Sequence, residues 1–527
     1  WYPMNSTLYV DYVTLVYCSF IILKMTIHKW LRMFCEKTTS HCMQYLVMKH
    51  RSPAEKLFWT LVFLCMAGLA FFIINYVIKN FWVDNPTVMF NDNTETAILE
   101  IPFPTIMVCS TNQIRKWVWN RNKNTNSSYW KHLEQYRSLI CGAYNYVPST
   151  GNVSFEYLDQ DLIESIVHDC AASCSEIFQT HLLWQNNTFE GVCNYVQPVM
   201  SVLGICYKIN MIPVQQILHD EYYQKYLKFF SKSNSYIDSE KTLWNLDDGY
   251  SSYSDTDLLI DVVPSRTSGV SYYHRLRLNL HTNTDEFLRC PQLDLRDGYF
   301  SIALSNPSEF YSTITYLLIA SDTYTKVQIT PLVRKISPDL VLRSPEVRKC
   351  YMHNERKLSI FKLYTESNCN NECLINMTIT MCSCVTFNMA FLMTADVKIC
   401  GTPKTDCIIR AIQITNTEKM QMRCNCLPTC SDIDYEILQT SNFESWDYLK
   451  TTQLVKNNSR GASVEFVFKN PYFTAYRSAS IFNTDSLISF VGSVFSLFLG
   501  LNLISIFEIL YVIIKIVSSF VMHMFDI

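Results

Sequence analysis

Two long apolar stretches, residues 57–78 and 487–514, constrain the fold of this chain more than any other feature. A helix of roughly 20 apolar residues can cross a hydrocarbon core about 30 Å thick, and both stretches reach that length. Of the 527 residues, 49% are hydrophobic and 17% are charged, which is more apolar than a typical soluble protein. The sequence therefore predicts a membrane protein with two transmembrane helices.

The charges around the first stretch predict its orientation. Seven Lys or Arg side chains and two Glu side chains lie between residues 24 and 56. Because basic segments favour the cytoplasmic side of a membrane, residues 1–56 are predicted to be cytoplasmic. Two spans then place the tail, residues 515–527, in the cytoplasm and residues 79–486 outside the cell. We expect a multi-pass protein of the plasma membrane with both termini in the cytoplasm.

A shorter apolar run near the start of the chain, residues 8–23, is harder to assign. It is interrupted by Asp11 and, at about 16 residues, is short for a transmembrane helix. No basic segment precedes it, as a secretory signal would require. We interpret it as an interfacial or spurious segment, with a third span as the alternative.

Two independent counts support an extracellular position for residues 79–486. Seventeen of the 21 cysteines lie there, which suits an oxidising compartment. Five N-x-Ser/Thr sequons lie there as well, whereas only Asn5 carries one elsewhere. The five candidate glycosylation sites are Asn126, Asn152, Asn186, Asn376 and Asn457.

Ten cysteines are concentrated in residues 350–430. Cys369 and Cys373 lie one helical turn apart, a spacing that lets two short helices be laced together. Zinc is the competing interpretation, but thiols oxidise outside the cell, and the two C-x-C pairs are closer than usual zinc ligands. We therefore predict disulfides and no metal site, and the odd count of seventeen leaves at least one thiol unpaired or paired between subunits. The disulfide candidates are Cys109, Cys350, Cys369, Cys373, Cys382, Cys384, Cys400, Cys407, Cys424, Cys426 and Cys430.

The extracellular segment also carries strand patterns. From Ser301 onwards, β-branched residues and partial alternation predict strands, and two alternating runs after Cys430 lead into the second apolar stretch. A strand tied to a pore helix would couple the two mechanically. Residues 210–300 are polar and irregular, so we expect long loops there.

The second apolar stretch contains two groups of small or polar residues. The first group shares one helical face and comprises Ser489, Ser493, Ser496 and Gly500. The second group would lie on roughly the opposite face of a regular helix and comprises Asn502, Ser505 and Glu508. The polar face therefore changes sides between Gly500 and Asn502.

The length of this stretch also argues against one straight helix. Its 28 residues would measure about 42 Å as a helix, which exceeds the bilayer. A break would let both groups face one water-filled axis, and non-helical backbone survives at membrane depth where it lines a cavity or is buried in protein. We predict a short extended filter at Gly500, Leu501 and Asn502, whose backbone carbonyls replace the water shell of a small cation.

Close helix packing is an alternative explanation for the small residues of the first group. It does not explain Glu508, the only charged residue of the stretch. A buried carboxylate costs several kcal/mol unless it faces water or a partner. We predict that Glu508 faces the conduction path near its inner end, with a carboxylate that reaches to the interface as the alternative.

Four separated motifs carry a resemblance to a known family. They are FPTIMVCS at residues 103–110, YTESNCNNEC at 364–373, CNCLPTCSDIDYEI at 424–437 and GSVFSLFLGLNLISIFEILY at 492–511. With these motifs the chain resembles the degenerin and epithelial sodium channel family, most closely its insect pickpocket branch, over about residues 30–515. ATP-gated trimeric channels share the two-span plan, but the first motif and the cysteine-rich run argue against them.

The resemblance implies a trimeric channel with a hand-like α/β extracellular domain of palm, finger and thumb. Residues 350–430 would form the thumb. Such channels pass sodium, are commonly blocked by amiloride, and are homo- or heterotrimers of related subunits. We expect sodium as the permeant species, membrane lipid as a partner, no cofactor and no nucleic acid, and the extracellular ligand, if there is one, is not indicated.

Position by position, Gly500, Leu501 and Asn502 match the Gly-x-Ser filter of the family. Ser489 matches its degenerin position, where bulky residues hold the gate open. Asn502 departs from the pattern because a larger amide replaces Ser, which leaves the degree of sodium selectivity undetermined.

His41 and Cys42 match the cytoplasmic His-Gly gating motif of the family. Cys42 replaces the glycine that tolerates positive φ angles, so gating is expected to differ. The candidate pore and gate residues are therefore Ser489, Ser493, Ser496, Ser505, Glu508, His41 and Cys42.

These observations predict a pore-forming subunit of an amiloride-sensitive sodium channel that opens to an extracellular stimulus. The alternatives are a non-conducting modulatory subunit of the same family and a two-span ligand receptor. An enzyme is not expected, because the chain contains no GxSxG, HExxH, phosphate-loop or dinucleotide-binding motif. The stimulus could be protons, a peptide, a small chemical or mechanical load.

Overall fold

The computed structural model describes residues 29–525, with gaps at residues 39, 41, 49, 84–86, 124, 126, 143–154, 231–243, 252–262, 289, 291–298, 312–315, 394–396, 416–423 and 443–458. His41, the apolar run 8–23 and three sequon positions, Asn126, Asn152 and Asn457, lie outside the described residues. The chain divides into two compact units. The first unit comprises Trp1–Val88, Asp339–Arg348 and Ala479–Ile527, and the second comprises Met89–Pro338 and Lys349–Ser478.

Helices occur in both units. Among the described residues, in chain order, they are α1 (29–37), α2 (Met43–Val47), α3 (Pro53–Val77), α4 (Lys116–Asn122), α5 (Ser128–Gly142), α6 (Gln160–Cys170), α7 (Cys174–Ile177), α8 (Val214–Ile217), α9 (Asp220–Phe230), α10 (Pro338–Val341), α11 (Pro345–Arg348), α12 (Glu366–Cys382), α13 (Phe387–Ala390), α14 (Thr405–Thr415), α15 (Thr484–Leu499) and α16 (Leu503–Phe525). A π-helical segment, Ile78–Val83, follows α3 directly.

The strands follow the same order. They are β1 (Thr87–Ala97), β2 (Thr105–Ser110), β3 (Tyr157–Leu158), β4 (His181–Trp184), β5 (Asn187–Glu190), β6 (Val196–Ser201), β7 (Gly204–Ile209), β8 (Trp244–Asn245), β9 (Gly249–Tyr250), β10 (Leu276–Asn283), β11 (Tyr299–Ser305), β12 (Leu317–Ala320), β13 (Tyr324–Ile336), β14 (Ile399–Cys400), β15 (Asp432–Asn442), β16 (Ser459–Phe468) and β17 (Tyr472–Ser480).

An eight-stranded sheet dominates the second unit, in the order β1-β17-β13-β16-β10-β4-β5, with β15 paired to β13. The long strand β13 runs parallel to β16 and β17 and antiparallel to β15. Alternate residues of β13, such as Val327 and Ile329, are fully buried, because one face of the strand covers the core. The strand pattern predicted after Ser301 and after Cys430 is thus confirmed.

The expectation of long loops in residues 210–300 is wrong. This region contains α8, α9 and the strand β10, which pairs antiparallel with β16 in the middle of the sheet. Leu276, Leu278 and Leu280 are buried and the residues between them are not. Their alternation extends over only five residues within a polar region, which is too short to stand out from the sequence alone.

A second, five-stranded sheet has the order β12-β11-β2-β7-β6. All six residues of β2 are buried, so the motif at residues 103–110 forms part of the core. Phe103, which is fully buried, lies edge-on to Trp184 at 4.8 Å and to Phe468 at 5.3 Å between ring centroids. The motif is therefore explained by packing: it brings strand residues distant in sequence together around one aromatic ring.

Eight disulfides stabilise the second unit. They are Cys109–Cys206, Cys141–Cys290, Cys174–Cys193, Cys350–Cys430, Cys369–Cys426, Cys373–Cys424, Cys382–Cys407 and Cys384–Cys400. All ten cysteines of residues 350–430 pair among themselves. The predicted disulfide-stapled module is present, and each candidate cysteine takes part in a disulfide.

The stapled module is organised by α12. Thr365 caps this helix, because its side chain accepts a hydrogen bond from the Asn368 N–H at 3.0 Å. Two disulfides from the first turns of α12 reach residues 424 and 426, and a third from its end reaches Cys407 on α14. The helix is thus fixed along its whole length.

Cys170 is the one cysteine of residues 79–486 that lies outside the eight disulfides, and it carries a free thiol. It is fully buried at the end of α6, and burial raises the pKa of its thiol to about 12. The unpaired cysteine predicted from the odd count is therefore a core residue, and its burial does not fit a disulfide between subunits.

Candidate functional site

The first apolar stretch forms a continuous helix. Ser52 caps α3 with a capping box: its side chain accepts from the Glu55 N–H, and the Glu55 carboxylate accepts from the Ser52 N–H, both at 3.3 Å. By length and composition, Pro53–Phe81 is apolar enough to cross a membrane. Within α3 only Ala70 is buried, which leaves an apolar surface of the kind that faces lipid.

The second apolar stretch is broken. Helices α15 and α16 are bent by 74° at residues 500–502, and the pair together qualifies as one broken span or a re-entrant loop. Gly500 adopts the left-handed conformation (φ 66°), and the N–H groups of Gly500 and Leu501 donate to the carbonyls of Ser496 (3.0 Å) and Phe495 (3.2 Å). This is the usual way for a helix to end at glycine.

The helix interruption expected at Gly500–Asn502 is therefore present, but Gly500 is not extended as predicted. Its left-handed backbone turns the chain instead, since the carbonyls at the end of α15 need the N–H groups that this turn supplies. Asn502 then caps α16: its side-chain oxygen accepts from the Ser505 N–H at 2.9 Å, and the Ser505 hydroxyl accepts from the Asn502 N–H at 3.1 Å. Sequence reasoning missed this role, although an Asn three residues before a Ser is a recognisable capping signal.

The remaining pore candidates differ in their exposure. Ser489, Ser493 and Ser496 are exposed on α15, and the Ser493 hydroxyl donates to the Ser489 carbonyl at 2.7 Å. Ser505 is buried and Glu508 is half-buried. Whether the two groups face one axis stays a prediction, since a single chain does not contain the axis.

The segment before α2 contacts both sides of the break. The Thr38 hydroxyl donates to the Glu508 carboxylate at 3.0 Å, and the Ser40 hydroxyl donates to the Leu499 carbonyl at 3.0 Å. Ser40 is 6% exposed, so this hydrogen bond is shielded from water. Because Leu499 is the last residue of α15, its carbonyl has no partner within the helix, and Ser40 supplies one.

Cys42 lies directly after this segment, at the start of α2, and has φ 67°. The left-handed conformation that glycine would favour is therefore retained, at a cost of about 1 kcal/mol for a residue with a side chain. His41, its predicted partner in the motif, lies outside the described residues. Thr38 and Ser40, which lie just before the motif, contact the two helices.

The second unit contains a group of charged side chains that are buried or half-buried. The Nζ atom of fully buried Lys208 donates to the Glu309 carbonyl at 3.0 Å, and burial lowers the pKa of this lysine. Burial also raises the pKa of the carboxyl groups of Glu309, Glu366 and Asp432, although Arg334 opposes the shift at Asp432. These carboxyl groups take up protons nearer to neutral pH than exposed ones.

The sequence of this chain matches a known protein family. The family model described as amiloride-sensitive sodium channel matches residues 34–512, which is most of the chain. The chain belongs to the amiloride-sensitive sodium channel family. The members of this family are plasma-membrane channels that assemble as oligomers of related subunits, with a disulfide-rich extracellular domain.

Several proteins of the fruit fly genus Drosophila are similar to this chain in sequence. Pickpocket protein 28 of Drosophila melanogaster is 21% identical over 511 residues, which cover 94% of this chain and 79% of the relative. Sodium channel protein Nach of Drosophila ananassae is 28% identical over 203 residues, which cover 38% of this chain and 39% of the relative. These similarities support a sodium channel subunit of the degenerin type.

Among solved structures, the cryo-EM structure of a proton-activated chloride channel is similar over 86% of this chain and 95% of the chloride channel chain. Its sequence identity is 8% and its TM-score is 0.26, which is too low to support any argument about this sodium channel family member.

Proposed function

We propose that this chain is a pore-forming subunit of a trimeric, amiloride-sensitive sodium channel that opens to an extracellular stimulus. Both termini would lie in the cytoplasm, sodium would be the permeant species, and no cofactor would be needed. The observation that supports this proposal most strongly is the break at Gly500–Asn502 within the second apolar stretch. A packing helix needs no such break, whereas a filter needs backbone carbonyls away from the helix.

In this proposal Gly500, Leu501 and Asn502 form the filter, and several copies of the chain supply a ring of carbonyls. Glu508 lies on the inner side, where its carboxylate would attract cations. The hydrogen bond from Thr38 would fix the orientation of that carboxylate. Ser489 would form part of the gate on the outer side.

The second unit would act as the extracellular lever. Its eight-stranded sheet would correspond to the palm, and the stapled residues 350–430 to the thumb. Strands β1 and β17 are the sheet strands nearest in sequence to α3 and α15, so movement of the sheet would reach both helices through them.

A modulatory subunit is the second candidate. Two observations favour it: the Asn502 side chain is engaged in capping α16, and Cys42 occupies a position where the family has glycine. In that case the chain would need a conducting partner subunit of the same family. A two-span ligand receptor is a third candidate, in which changes at the filter would leave activity unaltered.

The test is whole-cell recording after expression of the chain alone with Ser489→Phe, with Ser489→Ala as the matched control that keeps a small side chain. We expect a sodium-selective current blocked by amiloride in the Phe variant only. Surface biotinylation of both variants controls for trafficking. Silence of a surface-expressed Phe variant would contradict a homomeric pore, and current on co-expression with a related subunit would then favour the modulatory role.

A further inference from the structure

The second unit contains a cavity of about 240 Å³. Its walls come from the β8–β9 hairpin, the C-terminal half of β13, the start of β15 and the residues that follow β1. This volume lies just below the range of sites for drug-sized molecules, so a ligand that fills it would be small. None of the described pore and gate residues lines this cavity.

The lining of the cavity is more acidic than basic. Its carboxylates are Glu100, Asp247, Asp248 and Asp432, and its bases are Arg266, Arg334 and Lys335. The Arg334 guanidinium is already shared between Asp432 at 2.5 Å and Asp434 at 3.2 Å. The Arg266 guanidinium lies over the Tyr250 ring at 4.6 Å. Both guanidinium groups of the lining are therefore already engaged, which favours a cationic occupant over an anionic one.

One carboxylate oxygen in this lining lacks a hydrogen-bond donor. Asp247 Oδ2 accepts hydrogen bonds from the backbone N–H of His353 at 3.1 Å and from its ring Nδ1. Asp247 Oδ1 is buried, and no donor among the described residues reaches it. A buried acceptor without a donor is unfavourable, and more so when it is charged, because it has lost its hydrogen bonds to water. The oxygen is thus suited to an N–H donor from a ligand.

An apolar wall completes the site. Trp244, which is 5% exposed, and Leu246, which is 8% exposed, flank the turn that carries Asp247. Sites for small molecules combine such a wall with a few polar groups that fix the orientation of the ligand. Here the wall and the unsatisfied oxygen lie on the same short hairpin.

We propose that this cavity binds a small organic amine, whose ammonium group donates to Asp247 and whose apolar portion packs against Trp244 and Leu246. A buried water molecule is the competing occupant, since it could also donate to Asp247 Oδ1. The proposal concerns binding alone and does not depend on whether the chain conducts.

Equilibrium dialysis of the purified full-length protein in detergent tests the proposal, with tritiated 2-phenylethylamine as the probe. Unlabelled 2-phenylethylamine should displace the probe. Unlabelled 2-phenylethanol has the same shape without the positive charge and should not. Equal displacement by both compounds, or no saturable binding, would overturn the proposal and leave water as the occupant.

Variants locate the bound probe. Asp247→Asn should weaken binding about tenfold or more, because the negative charge that strengthens the hydrogen bond to the ammonium group is lost. Asp339→Asn removes an exposed carboxylate outside the cavity and should not alter it. In case Asp247→Asn disturbs the fold, Lys335→Glu provides an independent test: it replaces a half-exposed base of the lining with an acid and should tighten binding about threefold or more. Unchanged binding in both cavity variants would refute the site.

Discussion

A buried ion pair joins three strands of the large sheet and yields a quantitative prediction. Arg275, just before β10, donates to the Glu465 carboxylate on β16 at 2.5 Å, and the side chains of the pair are 5% and 4% exposed. The Tyr324 hydroxyl on β13 donates to the same oxygen at 2.5 Å. Glu465 therefore accepts from two neighbouring strands at once, 141 and 190 residues away in sequence.

Glu465→Gln removes the negative charge and leaves the Arg275 guanidinium buried without a counter-ion. Breaking one side of a buried ion pair costs roughly 3–5 kcal/mol, because the remaining charge stays desolvated. For a unit of this size, each kcal/mol lowers the melting temperature by about 1.3 °C, so we expect a decrease of about 4–6 °C. The measurement is thermal unfolding of the detergent-solubilised protein at one fixed scan rate.

The matched control is Asp322→Asn, which removes the partly exposed contact between Asp322 and Arg460 at 3.5 Å. This change should lower the free energy of unfolding by no more than about 1 kcal/mol, since water screens exposed pairs. Replacing Arg275, Tyr324 and Glu465 together by Met, Phe and Leu should recover much of the loss, because no buried charge remains. If Glu465→Gln shifts the melting temperature no more than Asp322→Asn does, the argument from desolvation is wrong.

Three further predictions concern the pore, the buried carboxylates and the topology. If the proposed function holds, Ser40→Ala leaves the last carbonyl of α15 without its hydrogen-bond donor. The sodium-to-potassium permeability ratio should then fall by up to about fivefold, which corresponds to the free energy of one hydrogen bond. The control Ser518→Ala should not change the reversal potential. Glu309 has a raised pKa, so it binds protons more readily in the folded state than in the unfolded state. The stability of the protein should therefore rise as the pH falls from about 8 towards the ordinary carboxyl pKa near 4.3. The melting temperature of Glu309→Gln should depend less on pH than that of the unchanged protein. Asn186 and Asn376 are exposed, and replacing either by Gln should remove one glycosidase-sensitive band shift, which an intracellular second unit would not show at all.

Local patterns allowed much of the fold to be predicted. The two apolar stretches, the change of polar face at Gly500 and the cysteine-rich run each depend on neighbouring residues, and the structure contains the corresponding helix, helix break and stapled module. The position of the break could be predicted because Gly500 combines a helix-ending residue with a change of helical face. The disulfide connectivity could not, since ten cysteines admit many pairings and only the folded chain selects one.

Contacts between distant residues were not predictable for a physical reason. The hydrogen bonds from Thr38 to Glu508 and from Ser40 to Leu499 join positions about 460–470 residues apart, and nothing in a helical or strand period records such a pairing. Strand β10 was missed for a related reason. Its short alternation of apolar and polar residues forms a strand because it pairs with β16, which lies almost 200 residues later in the sequence.

The left-handed turn at Gly500 connects the sequence pattern to these contacts. By ending α15, it leaves the Leu499 carbonyl without a helical partner, and a hydroxyl from residue 40 satisfies that carbonyl. By starting α16 at a new angle, it places Glu508 within reach of Thr38. The turn at this one glycine therefore frees one acceptor, the Leu499 carbonyl, and positions the other, the Glu508 carboxylate, for the N-terminal segment. A residue with a side chain at position 500 would be strained at φ 66°, and it should disturb the N-terminal contacts as well as the filter itself.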